Sequence, residues 1–182
     1  MAGSGHLNAT ALMPYVLPKP YSILLDVAAW MLIHAVVGYV VHRLSSSRFA
    51  SDNVMTRGRR FERDGEVYQQ LLRVKRWKAW LPEAGTFFPG GFDKKRLPGA
   101  ADAGLERYIQ ETRRAEIVHW ITAGTAPFFF VWNPIRAGVV MLAYAAVANG
   151  PCIIALRYNR LRLERIVGLR RRARGISDSS GC

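Results

Sequence analysis

An all-α integral membrane protein, with about three transmembrane helices plus amphipathic cytoplasmic interfacial helices, is the fold this sequence predicts. Three observations point there. Half of the 182 residues are hydrophobic, yet 26 Lys and Arg stand against 13 Asp and Glu, a formal net charge of +13. The charges are segregated: long apolar blocks are nearly charge-free and the segments between them are basic. The longest blocks also match the roughly 20 residues a helix needs to cross the hydrocarbon core. A chain of this length fits a single membrane domain over residues 1–182.

The elements follow in order. Residues 1–19 hold Pro14 and Pro18 and read as a flexible arm, without the short apolar core of a cleavable signal. Tyr21 to Val41 contains Asp26 and His34 but no Lys or Arg, and forms the first span. Residues 43–115 are the basic cytoplasmic and interfacial segment. Within it, Val54 to Gln70 is too charged for a core helix. Lys75, Arg76 and Lys78 alternate with Trp77 and Trp80, a mixture that favours the headgroup layer. Gly85, Pro89, Gly90 and Gly91 mark a loop made apolar by Phe87, Phe88 and Phe92. From about Ala103, Leu105, Tyr108, Ile109 and Thr112 recur at helical spacing.

Residues 117–156 then read as a helical hairpin of two spans, turning at Trp132-Asn133-Pro134. Its first arm is short, which leaves a reentrant hairpin as the rival. Pro127 should kink that arm, and Gly150-Pro151 should bend the second. Small residues such as Gly138 and Ala145 permit close helix packing. Residues 157–182 form a basic cytoplasmic tail, disordered from about 175.

Charge orients these pieces. Sixteen Lys and Arg lie in 43–115 and eight in 157–182. The positive-inside rule therefore puts both in the cytoplasm, with the N-terminus and the hairpin turn outside. The expected location is the cell membrane, multi-pass. A possible homo-oligomer would help so few spans enclose a site.

Composition also excludes functions. The positive charge would suit nucleic acid, but no nucleic-acid-binding motif accompanies it, so anionic lipid headgroups or an anionic cosubstrate are the expected partners. Cys152 and Cys182 have no metal-ligand spacing. There is no Gly-x-Ser-x-Gly elbow, no phosphate-cradling glycine loop, and no Asp five residues after His119.

The candidate chemistry lies at Gln110 to Trp120, where Glu116 and His119 sit one helical turn apart as a basic segment turns apolar. A titratable pair at the mouth of a membrane helix is costly and usually functional. Folding the hairpin at its turn brings this pair level with Ile154 to Tyr158, facing Arg157, Tyr158, Asn159 and Arg160. His119 suits a general base, since an imidazole titrates near neutrality. Glu116 on the same face is the candidate to orient it, as the acid does in a triad. The plainer alternative is an interfacial histidine beside a glutamate paired with Arg113 or Arg114. Arg113, Arg114, Lys75, Arg76, Trp77, Arg157, Tyr158, Asn159 and Arg160 are the candidates for binding substrate and donor. His34 and Asn149 are expected to bond neighbouring helices.

Several segments carry a likeness in order: Val74-Lys75-Arg76-Trp77-Lys78, Gly91-Phe92-Asp93-Lys94-Lys95, Ile109 through Trp120, and Ala148-Asn149-Gly150-Pro151 followed by Arg157-Tyr158-Asn159-Arg160. Through them the chain resembles the glycosyl-4,4'-diaponeurosporenoate acyltransferase family of staphyloxanthin-type carotenoid biosynthesis. The resemblance implies transfer of a fatty acyl group from an acyl thioester, on coenzyme A or an acyl carrier, to a sugar hydroxyl of a glycosylated lipid or carotenoid. No bound cofactor is implied. The expectation is therefore a membrane acyltransferase with His119 as base. A non-catalytic glycolipid-binding or accessory subunit is the alternative, and a scaffold held by its small-residue hairpin is a third.

Overall fold

The computed structural model describes residues 19–81 and 102–179, with side chains in the second stretch over 104–173. The N-terminal arm, the loop carrying Phe87, Phe88 and Phe92, and the Asp93-Lys94-Lys95 motif lie outside the described residues. Among the described residues, every regular element is helical. Helix α1 spans Lys19–Arg43, α2 Glu66–Leu72, α3 Val74–Trp77, α4 Asp102–Gly124 and α5 Ile135–Ser179. Short 3-10 turns at Ser46–Phe49, Arg60–Gly65, Lys78–Trp80 and Ala126–Val131 link them.

Helix α1 begins with Pro20 in its first turn, where a missing N–H removes no helical bond. It ends with His42 and Arg43 in the last turn, opposite the negative end of the helix dipole. Only Ser22, Asp26, Trp30 and Val41 are buried along it. Ile23, Leu24, Val27, Met31, Leu32 and Val36 are exposed, a continuous apolar surface that water does not favour. Among the described residues, two helices are long and apolar enough to cross a membrane: α1, and α5 over Ile135–Ala173.

The first arm of the expected hairpin is not a separate helix. Helix α4 runs unbroken from the charged segment to Gly124, and Ala126–Val131 completes the arm as a 3-10 turn with Pro127 at its start. Proline favours that position for the reason it favours the first turn of an α-helix. The second arm also differs. Helix α5 continues through Pro151 and past Leu156 to Ser179. The basic residues after 156 are thus a helical extension rather than a separate tail. Its 45 residues exceed a membrane thickness by a wide margin, since each residue rises about 1.5 Å.

Three elements meet at the hairpin turn. Trp30 of α1 stacks on Phe129, with ring centroids 4.6 Å apart. Ala126 and Ala145 complete this core. The Asp26 carboxylate accepts from Trp132 Nε1 at 2.8 Å and from Asn133 Nδ2 at 2.7 Å. A buried charge of this kind persists only when hydrogen-bonded, and here it ties α1 to the turn. His34 turns back on its own helix, its Nδ1 donating to the Trp30 carbonyl at 2.7 Å, so the expected bond to a neighbouring helix is replaced by a local one.

Gly138 packs against Phe130, whose ring occupies the space a Cβ would need, whereas Gly124 has nothing within 4 Å. Gly138→Ala is therefore expected to destabilise by about 1–3 kcal/mol. Gly124→Ala should leave stability near wild type. Thermal midpoints of the two purified variants in detergent check the contrast.

Candidate active site

Helices α4 and α5 are joined between Glu116 and Arg157–Arg160 by a buried cluster of charges. Arg157 Nη1 donates to Glu116 Oε1 at 2.7 Å, and Arg160 donates to Glu116 Oε2 from Nε at 3.2 Å and Nη2 at 3.1 Å. Arg157 also pairs with Glu62, while Arg160 reaches Asp52 and Glu164. Arg113 bridges Asp52 at 2.9 Å and Glu164 at 2.7 Å. Glu62, Glu116 and Arg160 are 1% exposed or less. Charges so buried are costly unless fully satisfied, and these are.

The cluster also holds the backbone of the segment that follows α1. Arg113 Nη1 donates to the carbonyls of Phe49 and Ala50, at 3.2 and 2.8 Å. Arg157 donates to those of Met55 at 2.8 Å and Arg57 at 2.7 Å, and Arg160 to that of Thr56. Residues 49–57 lack a regular element of their own over most of their length. Their carbonyls need partners when buried, and three guanidiniums supply them.

Beyond this segment the chain turns through three successive left-handed residues, Arg63, Asp64 and Gly65, with φ of 47°, 54° and 88°. At Gly65 a side chain is excluded twice, by that φ and by the Tyr158 carbonyl, 3.2 Å from where its Cβ would lie.

Glu62 is the acid most strongly set by its surroundings. Burial pushes its pKa up, but hydrogen bonds from Arg157, Tyr68 and the Arg59 N–H together bring it below the ordinary 4.5. Burial and the Glu62 carboxylate push the Tyr68 phenol up to about 12. A depressed acid stabilises the fold above its unfolded pKa, and that contribution is lost as pH falls through the folded value. A raised phenol contributes fully below pH 10 and loses its contribution as pH rises to 12. The thermal midpoint should fall on acidification below about pH 4.5 and on alkalinisation above about pH 10. Tyr68→Phe should remove the alkaline part of that loss.

His119 lies half-buried one turn further along α4. Its Nδ1 is 3.0 Å from Asn149 Oδ1, and Asn149 Nδ2 donates to the Ala145 carbonyl at 3.0 Å. The oxygens of Glu116 go to Arg157 and Arg160, and Asn149 lies against His119 Nδ1. The plainer pairing of Glu116 with Arg113 or Arg114 is not the observed one. Arg114 binds Glu111 at 3.0 Å, and donates to the Leu44 carbonyl at 3.2 Å and to Ser46 Oγ at 3.0 Å.

The remaining candidates divide by exposure. Lys75 and Arg76 are exposed, and Trp77 packs with Val74, Ala155 and Tyr158. Lys78 Nζ donates to Asn159 Oδ1 at 2.6 Å and sits 5.1 Å from the centre of the Tyr158 ring. Burial, with Arg162 and Lys75 nearby, lowers the Lys78 pKa. Arg113, Arg157 and Arg160 are each taken up by carboxylates and carbonyls of the protein itself. The sequence reading missed Asp52 and Glu62, which come from an aperiodic segment, and Tyr68 on the short helix α2. It also missed Glu164, whose spacing of four from Arg160 on a helix was a usable signal.

A sequence model of the family described as glycosyl-4,4'-diaponeurosporenoate acyltransferase matches residues 51–169. The chain belongs to that family. The protein is an acyltransferase. Relatives of the same description include one from Staphylococcus haemolyticus, 31% identical over 147 residues, 81% of this chain and 85% of the relative. Another, from Staphylococcus aureus strain USA300, is 26% identical over 143 residues, 79% of this chain and 86% of the relative. No solved structure matches. The family's stretch of this acyltransferase takes in Asp52, Glu62, Arg113, Glu116, His119, Asn149, Arg157, Arg160 and Glu164, while α1 lies before it.

Proposed function

We propose that this acyltransferase moves a fatty acyl group from a thioester to a sugar hydroxyl of a glycosylated carotenoid or related glycolipid, with His119 as general base. The relatives are named for a glycosylated diaponeurosporenoate, which makes the acceptor apolar with a polar sugar head. The observation that carries the mechanism is the His119–Asn149 contact. The Asn149 amide group donates to the Ala145 carbonyl, so its oxygen is the atom turned to His119. Nδ1 must then be the protonated nitrogen, and in the neutral ring Nε2 is the basic one.

Nε2 takes the hydroxyl proton as the sugar oxygen attacks the thioester carbonyl. The tetrahedral intermediate collapses with breakage of its carbon–sulfur bond, and Nε2 returns the proton to the leaving thiolate. Glu116 does not take part in this proton transfer. It fixes Arg157 and Arg160, and through them the geometry of α4 against α5. Because the family is one of acyltransferases, the accessory-subunit alternative is not carried forward.

Depth supports the same reading. The arm between Arg114 and Asn133 touches α1 at Asp26 and the residue just past its C-terminus, Leu44. Residues 26 to 44 rise about 27 Å along a helix, close to the roughly 30 Å of hydrocarbon core. The arm therefore has the reach of a full crossing, which favours three spans with the N-terminus outside and the C-terminus in the cytoplasm. His119 then lies about 7.5 Å below Arg114 along the helix, near the cytoplasmic face, where the sugar of a membrane-embedded acceptor would sit.

Asn149→Leu removes the acceptor that sets the tautomer. Transfer by the purified variant is expected to fall on the order of a hundredfold, with Asn149→Asp, which keeps an acceptor oxygen, recovering part of it. Undiminished transfer by Asn149→Leu would remove Asn149 from the mechanism.

A further inference from the structure

The buried cluster leaves three arginines unused. A groove of about 680 Å3 opens on the segment after α1, lined by Asp52, Asn53, Val54, Arg57, Gly58, Arg59 and Arg60. Arg57, Arg59 and Arg60 are exposed, and among the described residues their guanidiniums are in no hydrogen bond or ion pair, unlike those of Arg113, Arg157 and Arg160. The single acid in the wall, Asp52, already accepts from Arg113 and Arg160 through Oδ1.

The loop that carries these arginines is held from behind. Arg157 takes the carbonyls of Met55 and Arg57, Arg160 that of Thr56, and Glu62 the N–H of Arg59. Gly58 sits against Leu161, whose Cδ2 lies 2.9 Å from where its Cβ would be. Three guanidiniums within four residues are thus presented on a fixed backbone. That gives the costly buried charges a use, since a preorganised site loses less on binding.

We propose that this groove binds the phosphates of the acyl donor, which makes the donor an acyl-coenzyme A. Guanidinium forks match phosphate oxygens two at a time, and coenzyme A carries a diphosphate and a further phosphate. The volume falls in the roughly 300–1,000 Å3 range of small-molecule sites. An acidic carrier protein would need a broad surface of about 800 Å2 rather than a concave one. The loop and Glu116 share Arg157 and Arg160, so the groove and His119, one turn from Glu116, belong to one rigid unit.

The inference rests on the acyl-transfer reading but is tested apart from it. Binding of radiolabelled coenzyme A to the full chain is measured by equilibrium dialysis, in neutral detergent without anionic lipid. Arg59→Ala/Arg60→Ala should weaken binding about a hundredfold, roughly tenfold for each lost charge-assisted contact. Acyl transfer from acyl-pantetheine, which lacks the phosphates, should be the same in both proteins. Equal coenzyme A affinity in wild type and variant, or none in either, overturns the groove assignment and leaves acyl transfer standing if acyl-pantetheine still reacts. Loss in the variant of binding to anionic phospholipid vesicles or to an acyl carrier protein, with coenzyme A binding unchanged, also overturns it. Coenzyme A bound through these arginines, with no transfer from any thioester, keeps the groove and rejects the reaction.

Discussion

His119→Ala is expected to lower acyl transfer by about 10²–10⁴-fold, the usual contribution of a positioned general base, without lowering stability comparably. Loss of the half-buried imidazole leaves the pairs of Glu116 with Arg157 and Arg160 in place. The variant's stability should stay within about 1–2 kcal/mol of wild type, well short of the cost of breaking a buried ion pair. If the scaffold view were right, Gly138→Ala would damage transfer more than His119→Ala.

Glu116→Ala is expected to fail in a different way. Its carboxylate is the shared partner of Arg157 and Arg160, all three with little or no exposure. Removing it leaves buried guanidiniums short of an acceptor, at a cost of about 3–5 kcal/mol, a large fraction of the stability of a domain this size. Loss of folded protein should therefore precede any loss of turnover. Glu116→Gln keeps an acceptor but no charge and should lie between. Should Glu116→Ala fold as well as wild type and lose only kcat, the carboxylate would belong to the reaction after all, as the triad comparison first suggested.

These two residues show what the sequence made legible. The apolar blocks and the basic segments between them placed α1 and the turn at Trp132–Asn133. Counting back from that turn placed Glu116 opposite Arg157 and Arg160, because an antiparallel hairpin of helices has a fixed rise per residue. The same counting set His119 level with residues 154 to 158, whereas its partner is Asn149. Asn149 lies about as many residues after the turn as His119 lies before it, so even counting pairs the two and the expected level for His119 was set too far along α5.

Charge marked where α5 leaves the apolar layer but not where the helix ends, so the extension past Leu156 was read as a tail. Asp52, Glu62 and the left-handed run at Arg63–Gly65 were beyond reach. They belong to a segment with no hydrophobic period, shaped by arginines more than fifty residues away in sequence.

The most direct measurement is transfer itself. Purified protein is incubated with a radiolabelled fatty acyl thioester and a glycosylated carotenoid acceptor, and the lipid extract is examined for label. Labelled ester is expected with wild type and almost none with His119→Ala. Absence of label from folded wild-type protein, with acceptor and thioester both intact, would contradict that expectation.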